Sequence, residues 1–161
     1  MSKILAQPTH SNLDEAQDAS AGGDPTSPNT KFVSEKFRGL LEGEKCIGNY
    51  SCAVSLKILI QGRLYVTTKR LCFHSYFNDK TIFGKETKIA IPFSNIKRME
   101  KKSNVFVFPN SISVVTKEGK EIFITSFVYR DQAYEVMHKQ LEVTNGGVLD
   151  SRRSSEEQIG L

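Results

Sequence analysis

The side chains able to do covalent or metal chemistry are few: three cysteines, Cys46, Cys52 and Cys72, and three histidines, His10, His74 and His138. An odd number of cysteines, at spacings that fit no common zinc knuckle, does not make a disulfide framework, and a reducing compartment keeps them as thiols. Cys72 and His74 stand two apart and so share one face of a strand, with Cys46 as a third metal ligand at most. The plainer expectation is three small buried hydrophobes and no metal. His10 falls in a polar arm and His138 in a terminal helical pattern. No glycine-rich phosphate loop, nucleophile elbow or paired metal-ligand motif occurs. The expectation is a protein that is not an enzyme and needs no cofactor. Asn49-Tyr50-Ser51 has the form of a glycosylation acceptor, which carries meaning only for a secreted chain.

A second chemistry is electrostatic and interfacial. Ile82 and Phe83 lie in a polar loop with Lys80, Lys85 and Lys88 around them. Apolar tips entering a bilayer while ammonium groups meet phosphates is one reading of that loop; folding of both tips back into the core is the other. Lys97, Arg98, Lys101 and Lys102 form a second basic cluster, on both faces of a strand and into the next turn, where edge lysines also discourage aggregation. Lys69-Arg70, in a turn, is a third. Charge by segment sharpens this: residues 1–30 carry −3, residues 145–161 carry −1, and the middle carries +8, against +4 for the whole chain. A compact unit with that surplus attracts polyanions, meaning nucleic acid or anionic membrane leaflets. The strands lack the closely spaced surface aromatics of a stacking platform and no recognition-helix pattern is present, so nucleic acid is not the expected partner.

These groups must be positioned by a mainly β chain. At 161 residues, 39% hydrophobic and 25% charged, one ordinary core is expected. Residues 1–30, rich in Ser, Asp, Gly and Pro, read as a disordered arm, with Ser27-Pro28 among the breakers. A short amphipathic helix over residues 31–41 rests on Phe32, Phe37, Leu40 and Leu41. A period of two follows, with Cys52, Val54, Leu56, then Leu64, Val66, then Leu71, Phe73, Phe77 facing inward, and returns in Ile89, Ile91, Ile96, Ile112, Val114, Ile122 and Ile124. About seven short strands separated by turn signals make an antiparallel sandwich or barrel. A terminal helix over residues 131–143 carries the stripe Ala133, Tyr134, Met137, Leu141 and plugs an open corner. Asn145-Gly146-Gly147 is where it should stop, leaving residues 145–161 as a disordered tail with a kinase-like Arg152-Arg153-Ser154-Ser155. No stretch reaches the roughly 18 apolar residues of a membrane-spanning helix. The first ten residues, with only Ile4 and Leu5 large and apolar, are no secretory signal.

Several strings, taken together, resemble the GRAM domain: Gln61-Gly62-Arg63-Leu64-Tyr65-Val66-Thr67, Leu71-Cys72-Phe73-His74-Ser75, Ile82-Phe83-Gly84-Lys85-Glu86-Thr87, Ile91-Pro92-Phe93, Phe108-Pro109-Asn110-Ser111-Ile112, and Thr125-Ser126-Phe127 before Arg130-Asp131. The version most resembled is that of Aster-like and yeast sterol-transfer proteins of membrane contact sites. The match runs over roughly residues 31–143 and sets a domain at 31–144. It implies a pleckstrin-homology-like fold, seven antiparallel strands capped by a C-terminal helix with a short N-terminal one. It implies as well peripheral binding to anionic phospholipids, phosphatidylserine or phosphoinositides, on cytosolic faces of intracellular or plasma membranes. Two departures stand out. The larger relatives continue into a sterol-binding domain and a membrane anchor that this sequence does not contain, so sterol transport is not expected of it. Asn78-Asp79-Lys80-Thr81 lengthens the loop before Ile82, and Lys85 stands where relatives often place an aromatic. The alternative is an adaptor whose partner is a protein, bound beside an exposed strand or the terminal helix. The oligomeric state is left open.

Overall fold

The computed structural model describes residues 24–76, 86–102 and 110–159, the stretch 147–159 by backbone only. Lys80, Ile82, Phe83, Lys85, Phe77, Phe108 and Pro109 lie outside the described residues. The first element, α1, runs Pro28–Lys36 and not 31–41. Ser27 and Pro28 start it where a break was expected. The Ser27 hydroxyl accepts from Thr30 N at 3.2 Å, and a proline whose missing N–H costs nothing sits at the first helical position. Phe37 caps it, and Arg38 and Gly39, both at positive φ, turn the chain away. Leu40 and Leu41 therefore leave the helical stripe and are exposed.

Seven strands follow: β1 Cys46–Ser55, β2 Leu59–Thr67, β3 Arg70–Ser75, β4 Lys88–Pro92, β5 Ile96–Lys102, β6 Ser111–Thr116 and β7 Glu121–Thr125. All pair antiparallel in the order β4-β3-β2-β1-β7-β6-β5, and a 3-10 turn, Phe93–Asn95, joins the two edge strands. The two-residue rhythm sorts the faces. Val54, Leu64, Val66, Leu71, Phe73, Ile91, Ile112, Val114, Ile122 and Ile124 point into one core. On the opposite face of β2 and β3, Tyr65 and Cys72 meet Cys46 and the Val33 and Phe37 side chains. Thr30 rivets that helix down, its hydroxyl accepting from Cys46 N and donating to the Asp24 carbonyl.

Gly62 pairs with Ser75 where β2 lies close against β3. A Cβ there would stand 2.3 Å from the His74 carbonyl oxygen and 2.8 Å from Ser75 Cα, backbone atoms that cannot yield alone. Gly62→Ala is therefore expected to cost about 2 kcal/mol or more by overpacking, read from urea unfolding. An unchanged midpoint would show that the two strands separate freely.

The last element, α2, spans Arg130–Ile159. Ala133 and Met137 are fully buried and Leu141 nearly so, with Tyr134 packed at the margin, and this stripe closes the sandwich. The helix does not stop at Asn145. Glycines inside a helix cost roughly 1 kcal/mol each in propensity without breaking the hydrogen-bond ladder, so the signal there was a penalty and no barrier. None of the described helices is long and apolar enough to cross a membrane.

Candidate functional site

The β1–β2 hairpin ends with Ser55 paired to Leu59, leaving Leu56, Lys57 and Ile58 as its turn. Leu56 N donates to the Ile58 carbonyl at 3.0 Å, which holds the turn tight. Leu56 is 50% exposed, Ile58 67% and Leu59 47%. Leu56, read from the sequence as inward-facing, is turned out because strand pairing ends one residue before it and the alternation lapses. Ile60 packs back against the core and anchors the tip. Three apolar side chains exposed around one lysine at the tip of a paired hairpin form the kind of surface that enters the headgroup region of a bilayer. Sequence reading missed this site, although Leu56, Ile58, Leu59 and Ile60 form an apolar run that a period of two does not produce.

The same end of the sheet gathers other exposed and charged groups. β3 ends with Ser75 opposite Gly62, and Tyr76, half exposed, donates its N–H to the Gln61 carbonyl. Ser55 also pairs with Phe123, which puts the start of β7, and Lys120 before it, on the side of the tip. Lys88 opens β4 here, 3.4 Å from Glu86. Glu86 also lies 3.5 Å from Lys36 and 3.3 Å from His74 Nε2. Burial pulls the His74 pKa below its ordinary value, against the attraction of Glu86. Burial also presses on the Glu86 carboxyl, but the neighbouring Lys36 and His74 outweigh it and hold it below the usual range.

The β5 cluster is gathered elsewhere, about the start of α2. Lys97 and Arg98 are exposed, and a bulge between Ile96 and Arg98 sets them side by side. Arg98 and Lys102 share Glu100, at 3.3 and 2.8 Å. Hydrogen bonding to Lys102 keeps the Glu100 carboxyl below its ordinary pKa. Lys101 lies on the other face, 3.2 Å from Asp131 and 5.0 Å above the Tyr134 ring. Two acids thus offset part of the charge the sequence presents at Lys97, Arg98, Lys101 and Lys102. Arg130 donates to the Lys102 carbonyl and pairs with Asp131, tying the first turn of α2 to the end of β5.

Arg70 is no surface cation. It forks onto the buried Glu44 carboxylate, Nε to Oε2 at 2.9 Å and Nη2 to Oε1 at 3.0 Å. Lys69 remains exposed. Cys46, Cys52 and Cys72 are buried thiols, and desolvation pushes the Cys52 and Cys72 pKa values up to about 12, far from the thiolate a metal needs. Cys46 and Cys72 sit together under α1, while the His74 ring turns to Phe32 and Glu86.

A seven-stranded antiparallel sandwich closed at one corner by a C-terminal helix is the pleckstrin-homology-like fold. The N-terminal pleckstrin-homology domain of Vps36 superposes with a TM-score of 0.52 at 16% identity, covering 66% of this chain and 86% of that one. Within that class, the GRAM domain model matches residues 31–145, and the chain belongs to that family. The membrane-anchored lipid-binding protein LAM5 of Saccharomyces cerevisiae is 33% identical over 126 residues, 78% of this chain and 17% of its own length. Human Aster-A is 38% identical over 112 residues, 67% of this chain and 15% of Aster-A. The chain therefore spans less than a fifth of either relative. A crystal structure of the C-terminal domain of an unknown protein from Leishmania infantum gives a TM-score of 0.59 at 30% identity, over 71% of this chain and 98% of that one.

Proposed function

We propose that this chain is a non-catalytic module that docks peripherally on anionic membranes, inserting the β1–β2 tip and meeting phosphatidylserine or phosphoinositide headgroups with lysines around it. The observation that carries this reading is the tip itself: Leu56, Ile58 and Leu59 exposed together about Lys57 on a hairpin whose base is fixed in the core. Membership of the GRAM family supports it, as does the relative named a membrane-anchored lipid-binding protein. In this reading Lys80, Ile82, Phe83 and Lys85, outside the described residues, stay candidate lipid contacts on the strength of their residue types alone. The β5 cluster adds long-range attraction in place of contact.

Lys57, Lys88 and Lys120, at about 1 kcal/mol each, and three half-exposed apolar chains, together about 3 kcal/mol, give a dissociation constant of tens of micromolar. Binding to vesicles containing phosphatidylserine is expected to weaken roughly tenfold as salt rises from about 0.1 to 0.5 M. Sedimentation with such vesicles, beside neutral vesicles and an oligonucleotide, tests this. Salt-independent binding, or equal binding to the oligonucleotide, would refute it. The adaptor reading meets an obstacle at the β5 edge: the Met99 carbonyl already accepts from Tyr134 Oη at 3.4 Å and the Lys102 carbonyl from Arg130. A peptide added there would have to displace both.

A further inference from the structure

Groups from three secondary-structure elements meet on one carboxylate. Lys36 ends α1, His74 lies on β3, Lys88 opens β4, and Glu86 stands two residues before it. Glu86 Oε1 is 3.5 Å from Lys36 Nζ and 3.3 Å from His74 Nε2, and Oε2 is 3.4 Å from Lys88 Nζ. Among the described residues these three nitrogens have no other ion-pair partner. The backbone sets Glu86 there: Ser75 N donates to the Thr87 carbonyl at 2.9 Å and Thr87 N to Ser75 Oγ at 2.8 Å. The fit is incomplete. His74 Nε2 is buried, within charge-pairing range of Glu86 but off hydrogen-bond alignment. Beside it opens a cleft of about 240 Å³ lined by Phe32, Arg63, Tyr65, His74, Ser75 and Tyr76. Its aromatic wall is the Phe32–Tyr65 stack at 4.8 Å, with the His74 ring set edge-on to Phe32 at 5.2 Å.

We propose that Lys36, His74 and Lys88 form a binding site for a phosphate monoester, and that Glu86 is an internal carboxylate occupying that site until such a ligand displaces it. A carboxylate brings one charge and two oxygens to three nitrogens, whereas a phosphate monoester brings nearly two charges and three terminal oxygens. The lysine side chains are 36% and 40% exposed, so the rim is open to a ligand arriving from solvent. His74 faces Glu86, Lys36 and Lys88, and a dianion in place of the single carboxylate favours its protonated form. This rests on the membrane reading only for the source of the ligand: a phosphoinositide carries the monoester, and phosphatidylserine, a diester, does not.

The test uses the full chain, with inorganic phosphate and soluble inositol 1,4,5-trisphosphate as probes and the His74 ring signals as the NMR readout. Glu86→Gln is expected to bind both probes about 5- to 10-fold more tightly, because one like charge about 4 Å from the ligand is gone. Lys36→Ala with Lys88→Ala is expected to weaken binding more than about tenfold with the thermal midpoint retained, and phosphate is expected to raise the wild-type His74 pKa. Affinity unchanged or lowered in Glu86→Gln, or retained in the lysine pair variant, overturns the proposal. Vesicles with and without a phosphatidylinositol phosphate separate the sources. The expected soluble pattern without any vesicle binding leaves the site standing and removes the membrane reading. Vesicle binding with an unaltered soluble affinity does the reverse.

Discussion

Replacing Arg70 with methionine is expected to cost about 3–5 kcal/mol of folding stability, a large part of the roughly 5–15 kcal/mol a domain of this size possesses. The Glu44 carboxylate is fully buried, while the Arg70 side chain is 11% exposed. Glu44 accepts from Thr67 Oγ1 at 2.7 Å and Leu41 N at 3.1 Å as well as from both arms of the guanidinium. Arg70 in turn donates to the Gly39 carbonyl at 2.8 Å and the Phe37 carbonyl at 3.4 Å. The pair thereby ties the exit of α1 to the β2–β3 turn. Removing the cation leaves an uncompensated charge on a fully buried carboxylate, which is why the single change is so costly. Removing both charges, with Glu44→Leu added to Arg70→Met, is expected to recover most of the loss, because desolvating the pair offsets much of its attraction. Guanidinium unfolding of the three variants decides this. A single-variant loss below about 1 kcal/mol would mean that the pair is solvated in the folded protein.

The second large effect falls on binding and leaves the fold untouched. Leu56→Ser, Ile58→Ser and Leu59→Ser together remove apolar surface that already faces solvent, so the thermal midpoint should hold. Loss of about 3 kcal/mol of insertion energy predicts roughly hundredfold weaker association with anionic vesicles. Neutralising Lys57 alone should cost only about fivefold and should matter less at high salt. If the triple variant sediments with vesicles as well as the parent chain does, insertion is not what holds this protein to a bilayer.

The fold was legible because its signals are local and redundant. Alternation at Leu64-Val66, Leu71-Phe73, Ile112-Val114 and Ile122-Ile124 sorted inward from outward side chains, and the stripe Ala133-Met137-Leu141 predicted the face of α2 that closes the sandwich. Boundaries were less so. Ser27-Pro28 reads as a break or as a cap followed by a first helical residue, and only the contacts of Thr30 with Asp24 and Cys46 decide between them. Asn145-Gly146-Gly147 carries a propensity cost that a continuing helix can absorb. The candidate site was harder, because charge in a sequence carries no partner. Arg70 looked like a turn cation until Glu44, 26 residues away, proved to face it, and Lys101 looked free until α2 brought Asp131 over β5. The tip residue Leu56 was misassigned because alternation alone does not say where pairing ends.

The chain contains no tryptophan, so Ile58→Trp places a single indole at the point of the hairpin that should enter the membrane. With vesicles containing phosphatidylserine or a phosphatidylinositol phosphate at physiological ionic strength, its emission should shift to the blue and be quenched by lipids brominated on their acyl chains; neutral vesicles should leave it unchanged. Emission that stays at the wavelength of solvent-exposed indole, from a variant whose circular dichroism matches the parent chain, would contradict docking through this tip.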